Sequence, residues 1–239
     1  MKGQIITIWG LRGKTTAAAN LAWSIAEQGK LVCIVSSNRN YGKIQGFWGQ
    51  TIQTDKSIIR AFEDDIEVES LLWKAGSHGT RHNIFLLTLP NEFDVATYPD
   101  ISISAVEDLM QKLMSLFSVV VVIGSADMQN PLSSIALTLS HKIVLLHTPG
   151  VASLQWFRAT ERVRELWFLN RIIKHIINAP DNSISVTDYC QAAKIKVDLE
   201  LPLLKDALKY ENSGSLICEN ETAISRPYIK AMQKLAELL

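Results

Sequence analysis

A chain of 239 residues with 47% apolar and 20% charged side chains is long enough to bury a sizeable core and lies far from the disordered regime. Lysine plus arginine and aspartate plus glutamate each number 24, so the formal net charge is zero, and the basic excess with which nucleic-acid binders replace phosphate counterions is missing. Cys33, Cys190 and Cys218 are odd in number and far apart, without metal-binding or redox-pair spacing, which points to a reducing setting.

The chain opens with an apolar run at residues 4–9 that is too short for a signal-peptide core and reads as a strand. A Gly/Arg/Lys loop follows, then a helix over residues 15–28 stopped by Gly29. A second strand is expected at 31–36. Residues 37–57 carry Gly42, Gly46 and Gly49 with exposed-looking Tyr41, Phe47 and Trp48, and read equally as a functional or mobile segment whose aromatics serve an interface and as a surface excursion with one short helix. Further strands are expected at 84–89, 119–123, 142–147, 172–178 and 196–201, several apolar at consecutive positions, as strands covered on both faces of a parallel sheet must be. The run 119–123 is the longest clean apolar stretch and has the length of a strand, not of a membrane span. Between strands, residues 104–117 read as a helix, opened by Ser104 and Glu107 in capping-box spacing and buried through Val106, Leu109, Met110, Leu113 and Phe117. Residues 225–239 form an amphipathic helix, expected to pack on the core more readily than to lie on a membrane, since Lys230 and Lys234 are its only interior cations. Such alternation predicts a single α/β domain over 1–239, a doubly wound, mostly parallel sheet in three α/β/α layers, in the cytoplasm.

The loop carries the chemistry. In WGLRGKTTAAANLA, Gly13-Lys14-Thr15-Thr16 follows a strand and opens a helix, the context in which backbone amides and a helix N-terminus hold phosphate. Lys14 is placed for the β- and γ-phosphates and the Thr15 hydroxyl for Mg²⁺. Phosphate-binding loops separate their first glycine from Gly-Lys-Thr by four residues. Here only Leu11 and Arg12 separate Gly10 from Gly13. The shortening removes roughly two amide donors, each worth ~1.5–3 kcal/mol toward a charged acceptor. His78 and His82 have i,i+4 spacing, but Gly79 between them argues against a shared helix face and a zinc site. His141, His147 and His175 lie on or beside strands and read as packed residues.

The stretch IITIWGLRGKTTAAANLAWSIAEQGKLVCIV resembles the start of the ParA/MinD family of deviant P-loop ATPases. The likeness continues through SVVVVIGSADMQNPLSSIALTLSHKIVLLHTPGVASL, placed like the family's fourth strand, switch region and fifth strand, and through HIINAPDNSIS and LELPLLKDALKYENSG to the last helix. Within the family the nearest resemblance is to the CpaE/TadZ-like branch of pilus-assembly localisation factors. The resemblance implies a P-loop NTPase fold and an ATP–Mg site made by Gly10, Arg12, Gly13, Lys14, Thr15 and Thr16, with Asn178 and Pro202 at the adenine and Thr15 on the metal. It also implies a homodimer and a protein partner in a positioning or assembly system, with peripheral attachment to the inner membrane face as an accompanying option.

The departures from the family pattern imply a weakened function. The family's additional loop lysine, which reaches a dimer partner's nucleotide, falls in the deleted region. Its catalytic Asp after the second strand is Asn38, and its metal-linked Asp after the fourth is replaced at Ile123 or Gly124, with Asp127 a poor stand-in. ATP and Mg²⁺ are therefore expected to bind weakly or not at all, and hydrolysis to be low or absent. The competing readings are an active partition ATPase, disfavoured by the lost carboxylates and absent basic excess, and an ATP-dependent biosynthetic enzyme on the same fold.

Overall fold

Consecutive β-branched and aliphatic residues build the centre of the molecule. The computed structural model describes residues 3–63, 65–178 and 184–239, so residues 179–183, part of the family-like motif after Asn178, lie outside the described residues. Strands β1 (Gln4–Gly10), β2 (Val32–Ser36), β3 (Trp73–Lys74), β4 (Ile84–Leu87), β5 (Val119–Ile123), β6 (Lys142–His147), β7 (Ile172–Asn178) and β8 (Leu199–Leu201) form one sheet in the order β3-β4-β2-β5-β1-β6-β7-β8. Every pairing is parallel except the short edge pair β3–β4. β2 and β5 are buried at every position, as the unbroken apolar runs require. β3 is an addition to the expected strands. It is two residues long, too short for its periodicity to show in sequence.

Helices cover both faces. α1 (Lys14–Ala26) and α9 (Arg226–Leu238) lie on the face that carries Ile6, Ile8, Val121 and Val144, while the short α8 (Ala207–Asn212) packs beside a 3₁₀ segment, Lys43–Trp48. The opposite face carries Ile5, Val35, Val120 and Val122 under α2 (Val68–Leu71), α3 (Ile103–Leu116) and α4 (Pro131–Leu139). Further along that face, Trp9, Ile143 and Leu145 pack with Phe157 and Phe168 of the segment formed by α5 (Val151–Ala159) and α6 (Glu161–Trp167), next to α7 (Val186–Ala193). α9 spends its apolar face on this architecture: Tyr228, Ile229, Met232 and Leu235 are buried, as expected of a core helix. Among the described residues no helix is long and apolar enough to cross a membrane.

Two local expectations are corrected. Phe47 and Trp48 are 1% and 2% exposed, not displayed on an excursion, and only Tyr41 remains exposed. The segment folds as 3₁₀ turns over α1, Trp48 lies under the Arg81 guanidinium at 5.5 Å, and Lys43 pairs with Glu211 at 3.0 Å. Glycines supply the turns while the aromatics go to the core, because burying so large an apolar surface outweighs leaving it in water. The cap of α3 is Ser102, which accepts from the Ala105 amide at 3.2 Å, not Ser104. The polar residue next to the turn took the cap, a shift of the kind local pattern resolves least well.

Asn20, fully buried on α1, ties the C-terminal segment to that helix. Its Nδ2 donates to the Thr16 carbonyl at 2.9 Å, and its Oδ1 accepts from the Cys218 amide at 2.9 Å. Asn20→Ala leaves the Cys218 N–H buried without an acceptor, so a loss of about 1–3 kcal/mol is expected. Urea denaturation should show a lower midpoint at unchanged slope.

Candidate functional site

The carboxyl ends of β1, β6, β7 and β8 meet at the point where connections leave toward opposite edges of the sheet, the position at which open α/β sheets form crevices. At that point β1 turns into α1 through Gly10–Gly13. Gly10 pairs with Leu146, and a Cβ on Gly10 would stand 2.2 Å from the Leu146 carbonyl oxygen. Gly13 adopts φ +78°, and a Cβ there would stand 2.5 Å from Asn178 Nδ2. Only glycine fits either position.

Gly13 is also the N-cap of α1 and offers no side chain to its first turn. The first amides of a helix have no partner within it, and the dipole adds partial positive charge. Lys14 folds back over the loop, its Nζ donating to Gly10 O at 2.6 Å and Leu11 O at 3.4 Å. Burial pushes its pKa down from 10.5 to about 8. Arg12 is exposed at the tip of the turn, and Thr15 is half-buried.

Gly13, Thr16, Asn178 and Pro202 line one cavity of about 110 Å³, floored by Leu204, Ile217 and Tyr228. Residues distant in sequence are thus brought together, with Gly10 and Lys14 on the adjoining loop; Arg12 and Thr15 do not line the cavity. The cavity is small beside the roughly 300–1,000 Å³ of ordinary small-molecule sites, and it is mostly apolar. It suits the flat apolar part of a ligand whose charged part would meet the α1 N-terminus.

The neighbouring strand ends hold neutral groups. Asn38 Oδ1 accepts from the Asn40 amide at 2.9 Å, closing its own turn. Ser37 Oγ donates to Ile123 O at 2.7 Å, and buried Asn130 both caps α4 and donates through Nδ2 to Ser37 O. Asp127, exposed, uses Oδ1 to accept from the Gln129 amide at 2.9 Å. The ends of β2 and β5 are therefore joined by amide and hydroxyl groups, and the Asp127 carboxylate serves a turn.

Sequence reasoning missed Trp9 and Asn130. Trp9 is fully buried, donates from Nε1 to Ser125 O at 2.7 Å, and meets Trp156 edge-on with ring centroids 4.7 Å apart. It clamps the loop after β5 against the strand that feeds the glycine turn. A tryptophan directly before the loop's first glycine was the available signal. The histidines are packed as expected: His141 Nδ1 accepts from the Ile5 amide at 3.0 Å, and His147 lies between Tyr189 and His175. His82 sits in a 3₁₀ segment, Gly79–Asn83, against Lys74 Nζ at 3.2 Å and the Ser77 carbonyl.

No protein-family model matches the chain, and no curated protein matches it in sequence. Solved structures match over nearly the whole length. A ParA family ATPase from Chlorobium tepidum TLS has a TM-score of 0.80 at 18% identity, over 99% of this chain and 99% of that one. The septum site-determining protein MinD complexed with Mg-ADP, from Pyrococcus horikoshii OT3, has a TM-score of 0.77 at 16% identity, over 99% and 95%. MinD in a MinC:MinD cell division complex from Aquifex aeolicus has a TM-score of 0.77 at 18% identity, over 98% and 96%. The fold is that of the MinD and ParA P-loop ATPases.

The Lys14 environment has a measurable consequence. Its folded pKa lies below the unfolded value, so between about pH 8 and 10.5 the unfolded chain binds more protons and stability rises with pH. Relative to Lys14→Met, wild type should gain on the order of 1–3 kcal/mol as pH is raised through that window. Urea unfolding of both proteins at pH 7 and pH 10 measures it. A constant difference between them would show that Lys14 is not held in a desolvated site.

Proposed function

We propose that this chain is a single-domain, MinD/ParA-like nucleotide-binding protein that holds ATP–Mg weakly, turns it over near background, and acts as a positioning or assembly factor through self-association and a protein partner. The observation that carries the reading is the convergence of Gly13 and Thr16, at the N-terminus of α1 beside Lys14, with Asn178 at the end of β7 and Pro202 just after β8. Triphosphate would displace the Lys14 ammonium from the Gly10 and Leu11 carbonyls onto its own oxygens, while the base would enter the apolar cavity beside Asn178. Thr15 would hold Mg²⁺ with its hydroxyl, and the ion would neutralise charge on the phosphoryl oxygens.

Hydrolysis needs an oriented water and a firmly held metal. Asn38 cannot take a proton, and its oxygen is already engaged at Asn40. General-base loss costs typically ~10²–10⁴-fold. The two-residue turn between Gly10 and Gly13 further withdraws donors from the γ-phosphate, and positioning is most of this catalysis. A protein with this balance of features works by binding, and the neighbour solved with MinC is an instance of the fold engaging a protein partner. The sequence resemblance favours a pilus- or secretion-type apparatus as the machine served. An active partition ATPase or an ATP-dependent biosynthetic enzyme would require the carboxylates that the ends of β2 and β5 lack.

Titration with a fluorescent ATP analogue should give weak, Mg-dependent binding that Lys14→Ala abolishes. Phosphate release should stay at background in wild type and remain there in Asn38→Asp, since the short loop still misplaces the γ-phosphate. Robust, Lys14-dependent turnover by wild type would establish the short loop as a working catalytic variant. Tight binding indifferent to Lys14→Ala would remove the assigned site.

A further inference from the structure

On the face of the sheet opposite α1, a second and larger cavity of about 490 Å³ opens between β7 and the helices α5, α6 and α7. Its walls carry Arg158, Arg164, Lys194, Glu161 and His175. Three fixed cations thus face one carboxylate in a chain whose net charge is zero. None of the three is in an ion pair among the described residues. Arg164 is half-buried, its guanidinium 3.5 Å above the centre of the Phe157 ring, with Nη1 donating to the Phe157 carbonyl and to Thr160 Oγ1 at 2.7 Å. Those contacts hold the fork in place, and among the described residues no carboxylate closes to ion-pair distance on it, although Glu161 and Glu165 lie near enough to act on its charge. Burial lowers the pKa of Arg164, outweighing the Glu161 and Glu165 carboxylates, which act in the opposite direction.

Behind the cavity runs a chain of polar groups. Ser153 Oγ lies 3.1 Å from Tyr189 OH, Tyr189 OH 3.1 Å from His147 Nδ1, and His147 Nε2 3.1 Å from His175 Nδ1. Burial drives the His147 pKa down to about 3 and lowers that of His175 below its ordinary 6.5, so at neutral pH both rings are neutral and each contact has one donor. One of the two polarities of this chain, with Tyr189 donating to His147 and His147 to His175, leaves His175 Nε2 as an N–H donor. An acceptor anion in the cavity would select that polarity.

We infer that this cavity is a second ligand site, for a small organic anion bearing a phosphate or carboxylate group, held by Arg158, Arg164, Lys194 and His175. Its volume exceeds what a bare ion needs and lies within the range of small-molecule sites. Arginine forks and a neutral imidazole N–H are the donors that bind such groups. The site is separate from the glycine turn: the two open on opposite faces of the sheet. They are nonetheless linked through β6, because Leu146 abuts Gly10 and the next residue, His147, belongs to the polar chain.

The test is NMR titration of the arginine guanidinium and His175 ring signals with inorganic phosphate, glycerol phosphate and citrate, at matched ionic strength. Saturable shifts at Arg158, Arg164 and His175 with an organic anion are expected, retained in Lys14→Ala. Affinity should fall roughly tenfold or more in Arg158→Gln/Lys194→Gln, whose substitutions lie on exposed positions and leave the core intact. Absence of saturable shifts with all three probes up to several times a roughly 1 mM Kd overturns the assignment. So does binding lost in Lys14→Ala but kept in the double variant, which would place the anion at the α1 N-terminus. Shifts produced only by poly-glutamate would also overturn it, making the cavity a docking point for an acidic protein segment.

Discussion

The approach of Gly10 to the Leu146 carbonyl is the constraint on which the site depends. A parallel strand pair brings the two backbones together, and with no Cβ in the way β1 can end against β6 and turn at once. Gly13 completes the turn in the left-handed region with the Asn178 amide over its Cα. These two contacts determine where α1 starts and which way its N-terminus faces. They also bring β7, and with it Asn178, to the loop. Lys14 and Thr16 follow directly from this turn, Asn178 meets it at Gly13, and Pro202 arrives beside Asn178 through the pairing of β8 with β7.

The same economy explains the chemistry that is missing. A turn of two intervening residues has room for the glycines and for Lys14, which in this state satisfies its ammonium on the loop's own carbonyls. A longer loop would wrap more amides around an anion. The neighbouring strand ends have gone the same way: Ser37, Asn38 and Asn130 are engaged with one another's backbones or with their own turns. Trp9 adds rigidity by holding Ser125 against β1. Neutral hydrogen bonds lock these segments together, where catalysis of phosphoryl transfer calls for carboxylates free to hold metal and water.

On the other face, Arg158, Arg164, Lys194 and His175 line a larger cavity, backed by His147 and Tyr189, and among the described residues none of the three cations is in an ion pair. None of these residues forms a recognisable spacing along the chain. His147 and His175 are 28 residues apart and meet because β6 and β7 pair in register, with Leu145 opposite His175.

The sequence by itself determined the seven longer strands and the helices α1, α3 and α9. Apolar runs on β2, β5 and β6 can be buried on both faces only within a covered parallel sheet, and Gly-Lys-Thr-Thr directly after the first apolar run marks the strand-to-helix turn. The periodicity of α3 and α9 likewise announced which faces would be buried. Local pattern did not decide which side chains of irregular segments turn inward. Phe47 and Trp48 lie between glycines and look displayed, yet α1 offers them a surface that only the assembled sheet creates. The pairing of Arg81 with Glu219 across 138 residues, the bridge from Asn20 to Cys218, and the meeting of Gly13 with Asn178 and Pro202 are all tertiary outcomes. The physical reason is range: periodicity reports the solvent exposure of a residue through its neighbours in sequence. A binding cavity is made by residues whose only relation is that the strand order places their ends side by side.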